Sequence, residues 1–430
     1  MPEPAESPPR RTDVVVVGAG LAGLNAARIL TRSGLDTVVL EAQDAVGGRL
    51  RTDLVDGFRC DRGFQVFNTS YPEARQALDL AALELRPFTQ GVAVYLDGHR
   101  HRLVDPRRHP LDLPATLRAP VGSLADKARF AVLALRDAAV PAGTLIAAPD
   151  RHTAQALRER GISPQLIDKV LRPFLAGVFL EDRLETSARF ADLVIRSFVR
   201  GTIAVPAIGM SAIAEQLAAT LPPRSVCLST PVTAVRPDRA ETPYGAVLAR
   251  AVIVATDPAA AGRLLPGLPV PELRRVTTIY HATDEPPLAE PILVLDGERH
   301  GPVTNTVVLT AAAPTYSTEG RALVSSSVVG DYGRDATALE RAVRGHLATL
   351  YGADTRRWEH VATYHLPKAL PAMTPPHDFR KPVRWGDGYV CGDHRDSSSQ
   401  QGALVSGRRA AEAVISDLRC SAGDAARGQR

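Results

Sequence analysis

Lysine is nearly absent from this chain of 430 residues. Lys127, Lys169, Lys368 and Lys381 are the only ones, and arginine supplies almost all of the positive charge. Aromatic residues make up only 5%, and the net charge of +4 is small for this length. A nucleic-acid surface needs a concentrated basic stripe interleaved with aromatics. The arginines here are scattered, so that class is set aside. The cysteines Cys60, Cys227, Cys391 and Cys420 have neither zinc-site nor redox-dithiol spacing. They are too few for a disulfide framework, which points to a reducing, cytoplasmic setting and to no bound metal. No uninterrupted apolar run reaches the roughly 18 residues of a membrane span. The nearest, Phe130 to Ala148, is broken by Arg136, Asp137 and Pro141. Arg10-Arg11 before Val14 to Val17 could be misread as a twin-arginine export signal. The leading segment is acidic and proline-rich without a small-residue cleavage site, so the apolar run is read as a first strand.

Hydrophobic residues reach 45%, enough for a large core. The run Val14 to Val17 is β-branched and apolar, the mark of a strand buried on both faces. Gly18-Ala19-Gly20-Leu21-Ala22-Gly23 follows and opens an alanine-rich helical stretch, Leu24 to Arg32, closed by Ser33-Gly34. Thr37 to Leu40 is a second buried strand ending in Glu41. This βαβ unit carries a dinucleotide fingerprint with a physical basis. Gly18 permits a tight turn, Gly20 lets backbone approach a pyrophosphate, and Gly23 lets helix and strand pack closely. The helix N-terminus at Leu21 and Ala22 offers free amides and a positive dipole end. Glu41 is placed to accept from a ribose diol, and its charge would repel a 2′-phosphate.

Gly47-Gly48-Arg49 comes six residues after the acid. Gly48 exposes backbone amides, and Arg49 supplies a fixed cation for a pyrophosphate. Only one such fingerprint exists in the chain. Near the other end, Tyr389-Val390-Cys391 is a strand that runs into Gly392-Asp393. A final helix is expected from Gly402 to Leu418. Asp393 is suited to a ribityl hydroxyl, and the helix N-terminus at Gly402 to a flavin edge. FAD is therefore the expected cofactor.

Between these ends, Ala74 to Arg200 reads as mainly helical. Its helix Leu124 to Ala139 carries Lys127, Arg129 and Arg136 on a polar side. Strands are expected within Ser225 to Arg236, Ala246 to Ala255, Thr277 to His281, Val303 to Leu309 and Ala322 to Val329. Ala336 to Tyr351 reads as a helix and the proline-rich Leu366 to Pro376 as a loop.

The segments VVVVGAGLAGLNAA, EAQDAVGGRLRT, DGFRCDRGFQVF, VPAIGMSAIAEQLA, STPVTAV, AVIVATDP and YVCGDHRDSSSQQGALVSGRRAAEAV together resemble the FAD-dependent amine oxidase and phytoene desaturase superfamily. The resemblance covers nearly the whole chain and is thin between about 75 and 195. It implies an α/β fold, a Rossmann-type FAD-binding domain with a parallel sheet plus an inserted α+β substrate domain. The flavin domain would comprise 12–70, 200–275 and 380–420, the substrate domain 71–199 and 276–379, and 1–11 and 421–430 would be flexible termini. The resemblance places Val232, in the STPVTAV strand, on the adenine through its backbone, and Asp393 and Ala403 along the ribityl and flavin. Phe64 and Gln65 become candidates for the cavity wall, with core packing the plainer reading of Phe64. Neither Cys60 nor Cys391 sits in the superfamily's usual attachment context, so the resemblance implies noncovalent FAD, with both as buried cysteines.

Amine-oxidising members of that superfamily carry an aromatic three residues before the glycine matching Gly402. Here Ser399 stands there, which counts against simple amine oxidation and makes Ser399 a substrate-side candidate. Lys368 and His365 are the candidates for a water-holding lysine and an acid–base group. A surface lysine beside a proline loop and a hydrogen-bonded loop histidine are the plainer readings. The implied activity is that of an oxidoreductase, oxidase or dehydrogenase, taking a hydride from a small, mostly apolar organic substrate. The alternatives are a polyene desaturase or isomerase at a membrane surface, or a non-catalytic flavin-binding partner subunit. The helix Leu124 to Ala139 is read as covering the cavity rather than docking on a membrane, because Asp126 and Asp137 would mix signs on its polar face.

Overall fold

The β-branched runs of the sequence become the centre of a six-stranded sheet. In the computed structural model, which describes residues 8–331, 333 and 335–428, its strand order is Val226–Cys227, Thr37–Leu40, Val14–Val17, Ala251–Val254, Gly388–Val390 and Arg384–Trp385. The first five strands run parallel, with Val14 level with both Thr37 and Ala251. The last pairs antiparallel at the edge. Val14 to Val17 are buried without exception because both faces are covered. On one face lies the helix Leu21–Arg32, itself packed on the final helix Gln400–Gly428. On the other, Val15, Val17 and Val38 meet Ala240 and Val247 of a small three-stranded antiparallel sheet. Strands from near both chain ends and from the middle therefore sit side by side.

A second sheet of seven strands runs in the order Glu359–Pro371, Leu273–Thr283, Ala322–Val329, Asn305–Val308, Leu293–Asp296, Gly91–Leu96 and His99–Val104. One face packs on the helix Ala336–Tyr351 through Leu339, Val343 and Leu347 against Ile279, Val294 and Val324. Helices between 113 and 200 pack on other parts of this sheet, with Val92, Val94 and Leu295 in their shared core. The chain thus has the α/β, Rossmann-type architecture with an added α+β region.

Four local expectations are corrected. Ala74 to Arg200 is not helical throughout: Gly91–Leu96 and His99–Val104 form a hairpin. Its turn, Asp97-Gly98, has φ of +50° and +76°, and an Asp-Gly turn between alternating apolar residues was the signal for it. Leu366 to Pro371 is the end of a 13-residue strand, since the whole segment pairs antiparallel with Leu273–Thr283. Part of the expected N-terminal arm is pinned, Thr12 and Arg10 bonding to Leu248 through backbone at 3.0 Å. The last helix begins at Gln400, two residues before the glycine expected to open it, and its backbone stays helical to Gly428. Residues 1–7, 429 and 430 of the expected termini lie outside the described residues.

Candidate active site

Where the parallel strands end, the chain opens a cavity of about 2520 Å³. Ligands of α/β sheets lie beyond the carboxyl ends of the strands, where the connections diverge. Gly18, Gly20, Leu21 and Ala22 line it from the first turn, and Glu41, Gly48 and Arg49 from the second. Val232, Gly392, Asp393 and Ala403 line it from the distant segments. Val232 lies in an irregular stretch just before the strand Ala234–Arg236, not within a strand as expected.

The glycines divide into two roles. A side chain at Gly20 would have nothing within 4 Å and would stand in the cavity. One at Gly23 would collide with the Gly18 carbonyl oxygen. Gly20 therefore keeps space clear for a ligand, and Gly23 holds helix to strand. Neither Gly23 nor Gly402 forms part of the cavity wall. Gly402 instead passes tightly against the Ser397 carbonyl.

Glu41 is buried at the end of its strand. Its carboxylate accepts from the Ala19 amide at 2.6 Å and from the Gln43 amide at 2.9 Å. These bonds aim it at the turn that carries Gly18 and Gly20. Arg49 pairs with Asp393 at 2.7 Å and donates to the Ala369 carbonyl at 3.0 Å. Burial opposes the Arg49 charge. The Asp393 carboxylate, helped by Asp257, outweighs it and holds the guanidinium above its ordinary pKa. Asp257, three residues past the strand Ala251–Val254 and N-cap of the helix Pro258–Leu264, also lines the cavity and was not singled out from sequence. An Asp-Pro helix start shortly after a buried strand was the available signal. Beside Asp393, the buried His394 ring packs on Gly392, and burial pushes its pKa down to about 4, so it is neutral.

These residues fit FAD. An open glycine turn, a backbone-anchored carboxylate and a cation held by a buried acid match pyrophosphate and polyol chemistry. The same cradle would reject a bulky side chain at Gly20. Cys60 and Cys391 are buried thiols with pKa values pushed up to about 12, chiefly by burial, which suits inert packing rather than attachment.

The cavity continues past Arg49 into the second sheet. Phe64 lines it and meets Phe88 edge-on, with centroids 6.3 Å apart. Gln65 lines it while donating to the Arg49 carbonyl at 2.8 Å. Ser399 also lines it, but its hydroxyl caps the final helix, accepting from the Gly402 amide at 3.0 Å. Lys368 is not beside a loop. It sits on the strand Glu359–Pro371, exposed where it lines the cavity, one residue from the carbonyl that holds Arg49. His365 is elsewhere on that strand, bonded to Thr277 at 3.0 Å, and is not among the lining residues. Beyond them Val92, Phe130, Phe174, Phe190 and Val194 make the wall largely apolar, with Lys127, Arg196 and Asn305 also lining it. Sequence patterning in this region carried no cofactor-like motif, so these wall residues were not anticipated.

Among the described residues no cluster of His, Cys, Asp or Glu could hold a metal ion. No helix of the described residues is long and apolar enough to cross a membrane.

Comparison with known proteins places residues 21–415 in the family model of flavin containing amine oxidoreductases. Putrescine oxidase from Kocuria rosea is 46% identical over 92 residues, which is 21% of this chain and 19% of that relative. An oxidoreductase structure from Methanosarcina mazei superposes with a TM-score of 0.74 at 18% identity, over 95% of this chain and 100% of that one. Cyclohexylamine oxidase from Brevibacterium oxydans gives a TM-score of 0.67 at 18% identity, over 95% and 99%.

Proposed function

We propose that this chain, which belongs to the flavin-containing amine oxidoreductase family, is an FAD-dependent oxidoreductase that takes a hydride equivalent from a mostly apolar organic substrate. The carrying observation is one continuous cavity that joins the cradle at Gly20, Glu41 and Arg49 to an apolar chamber lined by Phe130 and Phe174. A cavity of about 2520 Å³ exceeds the roughly 300–1,000 Å³ of a typical small-ligand site. It leaves room for a substrate beside the cofactor, and extends the expectation beyond small substrates to bulkier ones.

Bound FAD supplies the hydride acceptor. The chain's own residues bind, orient and exclude water. Glu41 would receive ribose hydroxyls, the tight turn at Gly18 would let Gly20 admit the pyrophosphate, and Arg49 would neutralise it. Asp393 keeps Arg49 charged and in place. Ser399 caps the final helix, whose first residues Gln400 and Gln401 line the cavity. Phe64 and the aromatic wall exclude water and position apolar substrate. Lys368 is the cationic donor on the adjoining strand, suited to holding a water or a negative oxygen there. The segments 12–70, 200–275 and 380–420 act as the flavin domain, and 71–199 with 276–379 as the substrate domain. The mixed origin of the parallel sheet supports that division.

The test is an anaerobic screen of amines, alcohols and unsaturated hydrocarbons, read by bleaching of the flavin spectrum. Bleaching by a substrate of the apolar class is expected. A flavin that no substrate or donor reduces would leave a non-catalytic binding protein. Conversion of a polyene without net oxidation would favour isomerisation.

A further inference from the structure

We infer that Asn305 and Ser327 form a hydrogen-bonding anchor for a neutral oxygen, a carbonyl or a hydroxyl, on an otherwise apolar substrate. The two residues stand directly opposite one another on the antiparallel strands Asn305–Val308 and Ala322–Val329. Such pairs present their side chains on one face of a sheet. Here that face is a wall of the cavity, and both residues line it. Val276, Leu293 and Val307 line the same wall and are apolar. Lys368 lies on the edge strand of the sheet, with one strand between it and Ser327.

Asn305 is 3% exposed, and its Oδ1 is buried with no hydrogen-bond partner. Among the described residues neither the Asn305 amide nor the Ser327 hydroxyl bonds to another protein group. A buried amide without a partner is costly, and a leucine of similar size would avoid that cost. The facing element makes a matching exception. Gly177 lies inside the helix Arg172–Phe179, where glycine is a poor helix former. A side chain at Gly177 would strike Asn305 Nδ2, so the glycine keeps room for the amide. Gly177 also lines the cavity. Two locally unfavourable residues that meet at one point of a cavity wall mark a binding role rather than packing.

The donors narrow the ligand. Asn305 Nδ2 and the Ser327 hydroxyl can both donate, and one carbonyl or hydroxyl oxygen has lone pairs for both. Neither donor is charged, which suits a neutral group, because a buried carboxylate would need a cation. Lys127 and Arg196, cations on the helical side of the chamber, already donate to backbone carbonyls, Lys127 to Ala119 at 2.7 Å and Arg196 to Asp137 at 3.0 Å. A few placed polar groups in a mostly apolar pocket fix the orientation of what binds there. The anchor would thus decide which end of the molecule faces the cradle. Calling that molecule a substrate rests on the proposed redox reading, whereas the anchor itself does not.

The experiment is anaerobic equilibrium dialysis of the FAD-loaded full chain against matched probes, with flavin content read separately. The probes are 2-acetylnaphthalene, 1-(2-naphthyl)ethanol and 2-isopropylnaphthalene, and the same three groups on a biphenyl skeleton. The ketone or the alcohol should bind about ten- to a hundredfold tighter than the hydrocarbon of the same shape. Asn305→Leu should abolish that preference while the hydrocarbon binds at least as tightly as to the parent. Gly177→Ala, which crowds the amide, should lower the preference as well, and Ser327→Ala should reduce it about threefold or more. The thermal midpoint of Asn305→Leu without probe should equal or exceed that of the parent. Equal binding of ketone, alcohol and hydrocarbon, no binding on either skeleton, or a preference kept in Asn305→Leu would overturn the proposal. A lowered midpoint in Asn305→Leu would also overturn it, by assigning the amide to packing. Should that variant not fold, Gly177→Ala and Ser327→Ala decide the question. A flavin that nothing reduces, with the oxygen preference intact, would remove the redox reading and leave the anchor.

Discussion

Arg49 and Asp393 form an ion pair at 2.7 Å that ties the second glycine turn to the turn before the final helix. Each was expected to meet a different part of the cofactor, and the structure joins them to one another. Asp393 is buried, so removing the arginine would leave an uncompensated carboxylate at the cradle. Arg49→Ala is expected to weaken FAD binding by roughly 1.5–3 kcal/mol, about ten- to a hundredfold. Flavin release measured by fluorescence during dialysis checks this. Unchanged retention would take Arg49 out of the site. Asp393→Asn in the Arg49→Ala background should cost less than in the parent, because the pair acts as a unit.

The two fingerprint glycines make a paired test. Gly20→Ala should yield folded protein with little bound flavin, because the methyl group meets no protein atom and stands in the cavity. Gly23→Ala should reduce soluble, folded protein itself, because it strikes the Gly18 carbonyl. Circular dichroism and flavin content of the two variants separate these outcomes. Full flavin occupancy in Gly20→Ala would contradict the pyrophosphate assignment.

Lys368 lines the cavity from the strand that also anchors Arg49. Lys368→Met is expected to slow anaerobic flavin reduction by about tenfold or more, within the range of a positioned proton-handling group. FAD content should not change. A reduction rate equal to the parent would return this lysine to the role of a surface residue.

Asp137 is fully buried on the covering helix and neither of its carboxylate oxygens accepts a hydrogen bond. The Arg136 guanidinium stands 3.4 Å away. Burial, with Asp192 adding repulsion, pushes its pKa up to about 7. The folded chain therefore keeps this proton over a range in which the unfolded chain releases it. Stability attached to it is complete below about pH 4 and is lost progressively as pH rises toward 7. Asp137→Asn should stabilise the protein by on the order of 2–4 kcal/mol at pH 8 and by almost nothing at pH 4. Thermal midpoints across that range check the sign. A variant less stable than the parent at pH 8 would contradict it.

The sequence by itself determined the nucleotide-binding half of this protein. A β-branched strand, spaced glycines, an amphipathic helix, a second strand and Glu41 are local features. Steric and hydrogen-bonding rules act on them within about 30 residues. The Asp97-Gly98 hairpin was equally local and was legible in principle. Tertiary structure alone decided that Arg49 closes on Asp393, and that Lys368 lies on a strand lining the cavity rather than beside a loop. It also decided that Asp126 and Asp137 turn inward while Leu124, Ala128 and Leu135 line the cavity. Those outcomes depend on which distant surfaces bury one another. A helix with charges of both signs carries no local mark of which side will meet the core.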